Sequence, residues 1–151
     1  MPVINSSAKA SVGRDVSLVL LMGTGTGVTT RVDMPNVTDF DAKQEKTKLK
    51  SNRLDGVIMR AALPMGWNGS FGLERGSNAL ENVIAVEETA WYTTGLYMTG
   101  MLYQYITETD GSTTTYVFDN VTITLGNAGT WKGDAFVKQT LEFEAGRRRQ
   151  V

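Results

Sequence analysis

The 151-residue chain has no cysteine and no histidine. Without cysteine there is no disulfide, no thiolate nucleophile and no cysteine zinc site. Without histidine, the usual general base at neutral pH and the commonest metal ligand are both missing. Neither a Ser–His nor a Cys–His nucleophile pair can be built. Any catalysis would have to rest on carboxylates, Lys or Tyr, so the expectation is a non-enzyme with no cofactor and no metal. Long apolar runs are missing too: no window approaches the ~18–20 residues of a membrane helix. The opening MPVINSSAKASVGRD lacks the charged-then-apolar pattern of a secretory signal. These features lead us to expect a product of the cytoplasm, or a particle assembled there, that inserts in no membrane.

What is present is ordinary for one globular domain spanning 1–151: 41% hydrophobic and 21% charged residues. The net charge of −1 is unevenly spread. Outside the run Arg147, Arg148 and Arg149, the rest carries 12 basic against 16 acidic residues, a net of −4. That is the wrong sign for a body that grips nucleic acid. The arginine run itself reads as a solvated tail or an intersubunit salt bridge.

The glycines of Met22-GTGTG-Val28 suggest a phosphate loop at first sight. A P-loop requires Lys then Ser or Thr after the glycines, and Val28-Thr29 stands there instead. A dinucleotide fingerprint requires the glycines to open a helix. Here Val28, Thr30, Val32 and Met34 alternate with Thr29, Arg31 and Asp33, the period of a strand. The stretch is read as a hairpin tip following the buried strand Val16–Met22.

The segment 39–55, DFDAKQEKTKLKSNRLD, is strongly charged and has few core residues, so it reads as a long charged loop. A strand follows from Gly56 and is expected to stop at Pro64. Next, Trp67, Phe71 and Leu73 face one way, and Asn68, Ser70 and Glu74 the other. One helix is expected from a capping pair, Asn78 with Glu81, to a stop at Gly95, with Glu87 interrupting its apolar stripe. Asp110-Gly111 reads as a type I′ hairpin turn between strands 97–108 and 113–125. From Trp131 to Glu144, Val137, Gln139, Leu141 and Phe143 alternate with Lys138, Thr140, Glu142 and Glu144. The sum is an α+β, mainly β fold: an antiparallel sandwich or barrel of about seven strands with one helix.

No cluster of catalytic type emerges. Glu87 and Glu88 are adjacent on a helix, point about 100° apart and do not converge on one atom; a solvated helix face is expected. The run Thr113–Tyr116 suits a strand more than a sugar site. Trp67, Trp91 and Trp131 lack the interleaved Arg and Lys of a nucleic-acid stacking platform and read as core or interface anchors.

The ending DGSTTTYVFDNVTITLGNAGTWKGDAFVKQTLEFEAGRRR resembles the C-terminal part of bacteriophage tail tube proteins, especially those of contractile tails. The matching residues are Gly129, Trp131, Asp134, Val137, Lys138, Phe143, Glu144, Ala145 and Arg147. The resemblance covers the last third of the chain and is looser than a metal-ligand motif. It implies a small β-sandwich or barrel whose strands continue into neighbours of a hexameric ring. Stacked rings form a tube through which DNA passes at ejection; related tubes occur in tailocins and type VI secretion. The implied partners are further copies of the chain and the sheath, baseplate and tail-terminator proteins, in a virion assembled in the host cytoplasm. Passing phage DNA would not be bound specifically.

Within that picture, Lys43, Lys46, Lys48, Lys50 and Arg53 of the charged segment are candidates for contacts between rings or subunits. A basic bore would retard DNA at every phosphate contact, so its lining should be small, polar and acidic. The outward strand positions Asn68, Ser70, Glu74, Thr122, Thr124, Glu142 and Glu144 fit that requirement; Arg60 is the exception on its strand. The alternatives are a monomeric β-sandwich binding module, for carbohydrate, and, more remotely, a carboxylate-dependent hydrolase.

Overall fold

A computed structural model describes residues 16–23, 29–34 and 36–151. Among these the order is β1 (Val16–Gly23), β2 (Thr29–Met34), β3 (Val37–Asn52), β4 (Ile58–Glu74), α1 (Ala79–Thr94), β5 (Thr99–Thr107), β6 (Thr113–Asn127), β7 (Lys138–Ala145) and β8 (Arg147–Gln150). The fold is mainly antiparallel β with one helix, as the sequence pattern implies. No described helix is long and apolar enough to cross a membrane.

All strands join one open sheet in the order β2-β1-β5-β6-β7-β4-β3, with β8 also on β6. Strand β6 is long enough to serve two halves. Its first part pairs with β5 and, over Tyr116–Asp119, with β8; its second part, Thr122–Asn127, pairs with β7. Asn120 at φ 55 and a register shift near Gly100 mark the switch. The two halves enclose one core, which gives the sandwich form. Phe118 from the first half meets Phe143 edge-on at 5.4 Å and Trp67 at 6.0 Å, while Phe40 stacks on Phe143 at 5.7 Å. Leu18, Leu20, Leu102, Phe71 and Leu141 complete the centre. Each such side chain contributes about 1.5–3 kcal/mol through burial.

Local chemistry explains where the elements stop. Gly95 at φ 72 ends α1, its N–H donating to the Trp91 carbonyl. At the other end Asn78, at φ −92 and ψ 12, makes no side-chain cap, and Glu81 does not reach back to it: its carboxylate accepts from Arg75 at 2.7 Å and from Gln139 at 2.8 Å. The hairpin at Asp110 is not type I′. Among the described residues only Asn120 and glycines have positive φ, and the loop closes through Gly111 N–H to Glu108 O and Glu108 N–H to Ser112 O. This is a three-residue turn with glycine at the left-handed position; the Asp110 carboxylate accepts from Ser112 N–H at 2.9 Å instead.

Four further expectations are corrected. Segment 39–55 is not a loop: β3 runs to Asn52, and a short turn at 53–57 leads into β4. Pro64 does not end β4, because there the strand pairs only with β3 and its other edge is free. The last long strand begins at Lys138, not Trp131, and alternates buried and exposed to Ala145. The arginine run is neither a solvated tail nor, for Arg149, held only by other copies. It forms β8, with Arg149 paired to Asp119 at 3.0 Å and Arg148 packed over Tyr116 at 3.7 Å. The proposed tip of the first hairpin, 24–28, lies outside the described residues; its flanks pair as a hairpin, Gly23 opposite Thr29.

Candidate assembly surfaces

The polar positions on β4, β6 and β7 fall on one face of the sheet, because β7 lies between the other two. Registers align Lys43, Asn68, Glu144 and Thr122 in one row across β3, β4, β7 and β6. The next row holds Asp41, Ser70, Glu142 and Thr124. Glu74 lies on the same side of β4, opposite Lys138. All seven bore candidates therefore share one face, opposite the side that buries Phe71, Leu141 and Phe143. Each acid in these rows has neutral neighbours directly across, which avoids the cost of like charges in register. Neither Glu142 nor Glu144 has an ion pair among the described residues. Asn68 donates to Glu45, which anchors the row's edge.

Beyond this face, β3 and β4 leave the sheet together. The last β4–β7 pair is Trp67 with Ala145, but β3 and β4 continue for eight more pairs, from Glu45↔Gly66 to Asn52↔Ile58. At about 3.4 Å per residue the arm extends roughly 25 Å. Every residue from Lys46 to Met65 is exposed.

The arm has two chemically distinct faces. Residues in register share a side, so Lys46, Lys48, Lys50 and Arg60 lie together with Pro64 and Ala62, and Lys50 is directly opposite Arg60. The other side carries Thr47, Leu63, Leu49, Ala61, Ser51 and Met59. Like charges in register cost free energy unless an anionic surface or solvent covers them. Of the five contact candidates, Lys46, Lys48 and Lys50 are brought together. Lys43 is not among them: it stands in the polar row opposite Asn68 and pairs loosely with Asp41 at 3.9 Å. Arg53 sits in the end turn, 3.8 Å from Asp55. Arg60, the misfit in the sequence, belongs to the basic face; only pairing with β3 reveals this.

The helix is a third unpartnered surface. Leu80 and Val83 bury its first half, while Val86, Trp91, Tyr92, Leu96 and Tyr97 are exposed. A groove of about 620 Å³ runs between α1 and residues 96–98. The helix carries Glu81, Glu87 and Glu88 and no Lys or Arg. Glu87 is not simply solvated: one of its carboxylate oxygens is buried without a hydrogen-bond partner. Burial, and then repulsion from Glu88, push its carboxyl above the usual range. Trp67 packs against the core, whereas Trp91 and Trp131 are open. A polar latch that sequence reading missed holds the helix to the sheet. Arg75 binds Glu81 and lies 5.4 Å from the Trp131 ring, and the buried Gln139 amide donates to both Glu81 and the Ala128 carbonyl.

Among the described residues no group of acidic side chains is arranged to hold a metal ion.

No protein-family model and no curated protein matches the chain by sequence. Solved structures do match by fold. A chain of the PVC sheath/tube terminator of an extracellular contractile injection system, in the extended state, superposes with a TM-score of 0.63 at 11% identity, covering 89% of this chain and 92% of that one. The PVC sheath-tube complex in the same state gives 0.60 at 11%, covering 89% and 87%. The tube-terminating cap of the anti-feeding prophage gives 0.54 at 12%, covering 87% of each. The fold is thus one found in components of contractile tail systems, in line with the resemblance of the C-terminal third.

Proposed function

We propose that this chain is a structural subunit of a phage-type tail tube, assembling into stacked rings, hexameric by analogy, whose bore conducts DNA. The observation that carries the reading is the arm: roughly 25 Å of paired strand in which every residue from Lys46 to Met65 is exposed. Exposed strand edges are a liability unless another chain covers them, and β2 and β3 stand at the two edges of the sheet. Pairing edges with a neighbour closes a ring, while an arm reaching along the axis makes the open contact that propagates a filament. Asn68, Ser70, Glu74, Thr122, Thr124, Glu142 and Glu144 then line the bore, a face on which acids and neutral polar groups outnumber Lys43 and Lys138 and leave passing phosphates little to hold. Lys46, Lys48, Lys50 and Arg53 make contacts between rings or subunits, with Lys43 left to the polar face. Sheath, baseplate and terminator proteins are the further partners, in a particle assembled in the host cytoplasm. No catalytic role enters, and fold neighbours that serve as tail components support that.

Negative-stain electron microscopy across a concentration series, with light scattering alongside, tests this. Hollow rings or tubes are expected with no ligand added. Rings that never stack would move the chain to the end of a tube, as in the terminator and cap whose fold it shares. A monomer at every concentration that bound a glycan array would replace the tube with the carbohydrate-binding module.

A further inference from the structure

Among the described residues the arm's basic face has no anionic partner, and Glu87 and Glu88 of α1 have no basic one, Arg75 being taken by Glu81. Lys46, Lys48, Lys50 and Arg60 share one side of the arm. On the exposed second half of α1, Glu87 and Trp91 are one turn apart, as are Glu88 and Tyr92. These two acid–aromatic rows lie side by side, with no Lys or Arg anywhere on the helix. We propose that this face of α1 is the acceptor for the basic face of a second copy's arm. The inference rests on the assembly reading and names the surface that assembly uses.

Three observations favour this occupant. The spacings match: residues two apart on a strand are about 6.8 Å apart, and residues four apart on a helix about 6 Å. Successive arm lysines therefore meet a carboxylate and then an aromatic ring, and both attract cations. The charge is complementary, and the helix C-terminus adds the negative end of its dipole. Glu87 also makes no ion pair among the described residues. A second copy supplies the arm without any new protein, and the contact is heterologous, arm to helix, so it propagates.

Carbodiimide coupling tests the pairing on the native chain, because it joins only lysine amines and carboxylates already in contact. Assembled protein mixed from ¹⁴N and ¹⁵N chains is coupled, digested and read by mass spectrometry. Mixed-isotope cross-links from Lys46, Lys48 or Lys50 to Glu87 or Glu88 are expected. Arm lysines coupled only to Glu142, Glu144 or other carboxylates would overturn the assignment. In parallel, Lys48→Glu and Glu88→Lys should each raise the concentration needed for assembly by about tenfold, and the double variant should return it to within about threefold. Both positions are exposed, and an unchanged melting curve checks the fold. Tubes without the cross-links and without rescue would remove this acceptor and leave the tube standing. A wild-type chain that stays monomeric at every concentration would remove both.

Discussion

Excising the arm should separate folding from assembly. Removing Lys46–Met65 and joining Glu45 to Gly66 through Asn-Gly keeps every β4–β7 pair, since these begin at Trp67. Cutting only β3 would instead strand the matching part of β4. All 20 residues removed are exposed, and an isolated two-stranded ribbon is marginal in water. The subunit should therefore change in stability by about 1 kcal/mol or less, a shift of roughly 3–5 °C in Tm for a domain of this size. The comparison is a core truncation: Phe143 is 1% exposed, and Phe143→Ala should cost about 3–5 kcal/mol.

Assembly should respond in the opposite proportion. Leu49, Met59 and Leu63 are each about half exposed. Covering the exposed half of each contributes about 1 kcal/mol apiece, so each arm carries about 3 kcal/mol, roughly a hundredfold or more in a contact's dissociation constant. Thermal denaturation of the dilute subunit, paired with sedimentation velocity and electron microscopy of the concentrated one, measures both halves. Long tubes from the armless chain would refute the reasoning, and so would a fall in subunit stability of more than about 2 kcal/mol.

Two carboxylates should give opposite pH signatures. Glu81 is held below the usual range by its hydrogen bond from Arg75, with Gln139 assisting against burial. Its contribution is present above the ordinary carboxylate pKa of about 4.3 and is lost as pH falls through the depressed value. Glu81→Gln should therefore lower Tm at pH 7, with the difference closing in acid. Glu87 is raised by burial and by Glu88, so its ionised form is disfavoured in the fold. Glu87→Gln should raise the subunit's Tm at pH 7, and that gain should vanish below about pH 4; a lower Tm at pH 7 would contradict the burial argument. Finally, Glu142→Lys with Glu144→Lys should leave tubes intact but make them retain DNA in a salt-dependent way. DNA binding by intact tubes that is unchanged by the pair would take this face out of the bore.

The parts legible in the sequence are those where burial writes the pattern. β7 shows its alternation plainly because Gln139, Leu141 and Phe143 are buried while Glu142 and Glu144 are not. Parity alone also assigned Asn68, Ser70 and Glu74 to one side of their strand. It did not show that β7 lies between β4 and β6, which is what turns three separate strand faces into one surface. Arg75, Glu81 and Gln139 come from a loop, a helix and a strand, and no local periodicity links them. β8 was missed because Arg147–Gln150 is too short and too charged to read as a strand, although Asp119 and Tyr116 on β6 receive its side chains.

The arm was misread for a more instructive reason. In the body of β3, Phe40 and Ala42 pack on the core while Asp41 and Lys43 face out. Past the register shift at Glu45/Lys46, the same parity that carried Phe40 and Ala42 carries Lys46, Lys48 and Lys50. The parity that carried Asp41 and Lys43 now carries Leu49. On β4 the extra residue at Met65 keeps the two strands in step, so Leu63 and Ala61 join Leu49, and Arg60 joins the lysines. A reading that seeks one continuous apolar stripe finds none across this inversion and returns a loop. For a subunit that folded only for itself, the inversion would place leucines on the solvent side and lysines on the core side of one strand. It becomes consistent if the arm obeys the surfaces of another copy from Lys46 onward.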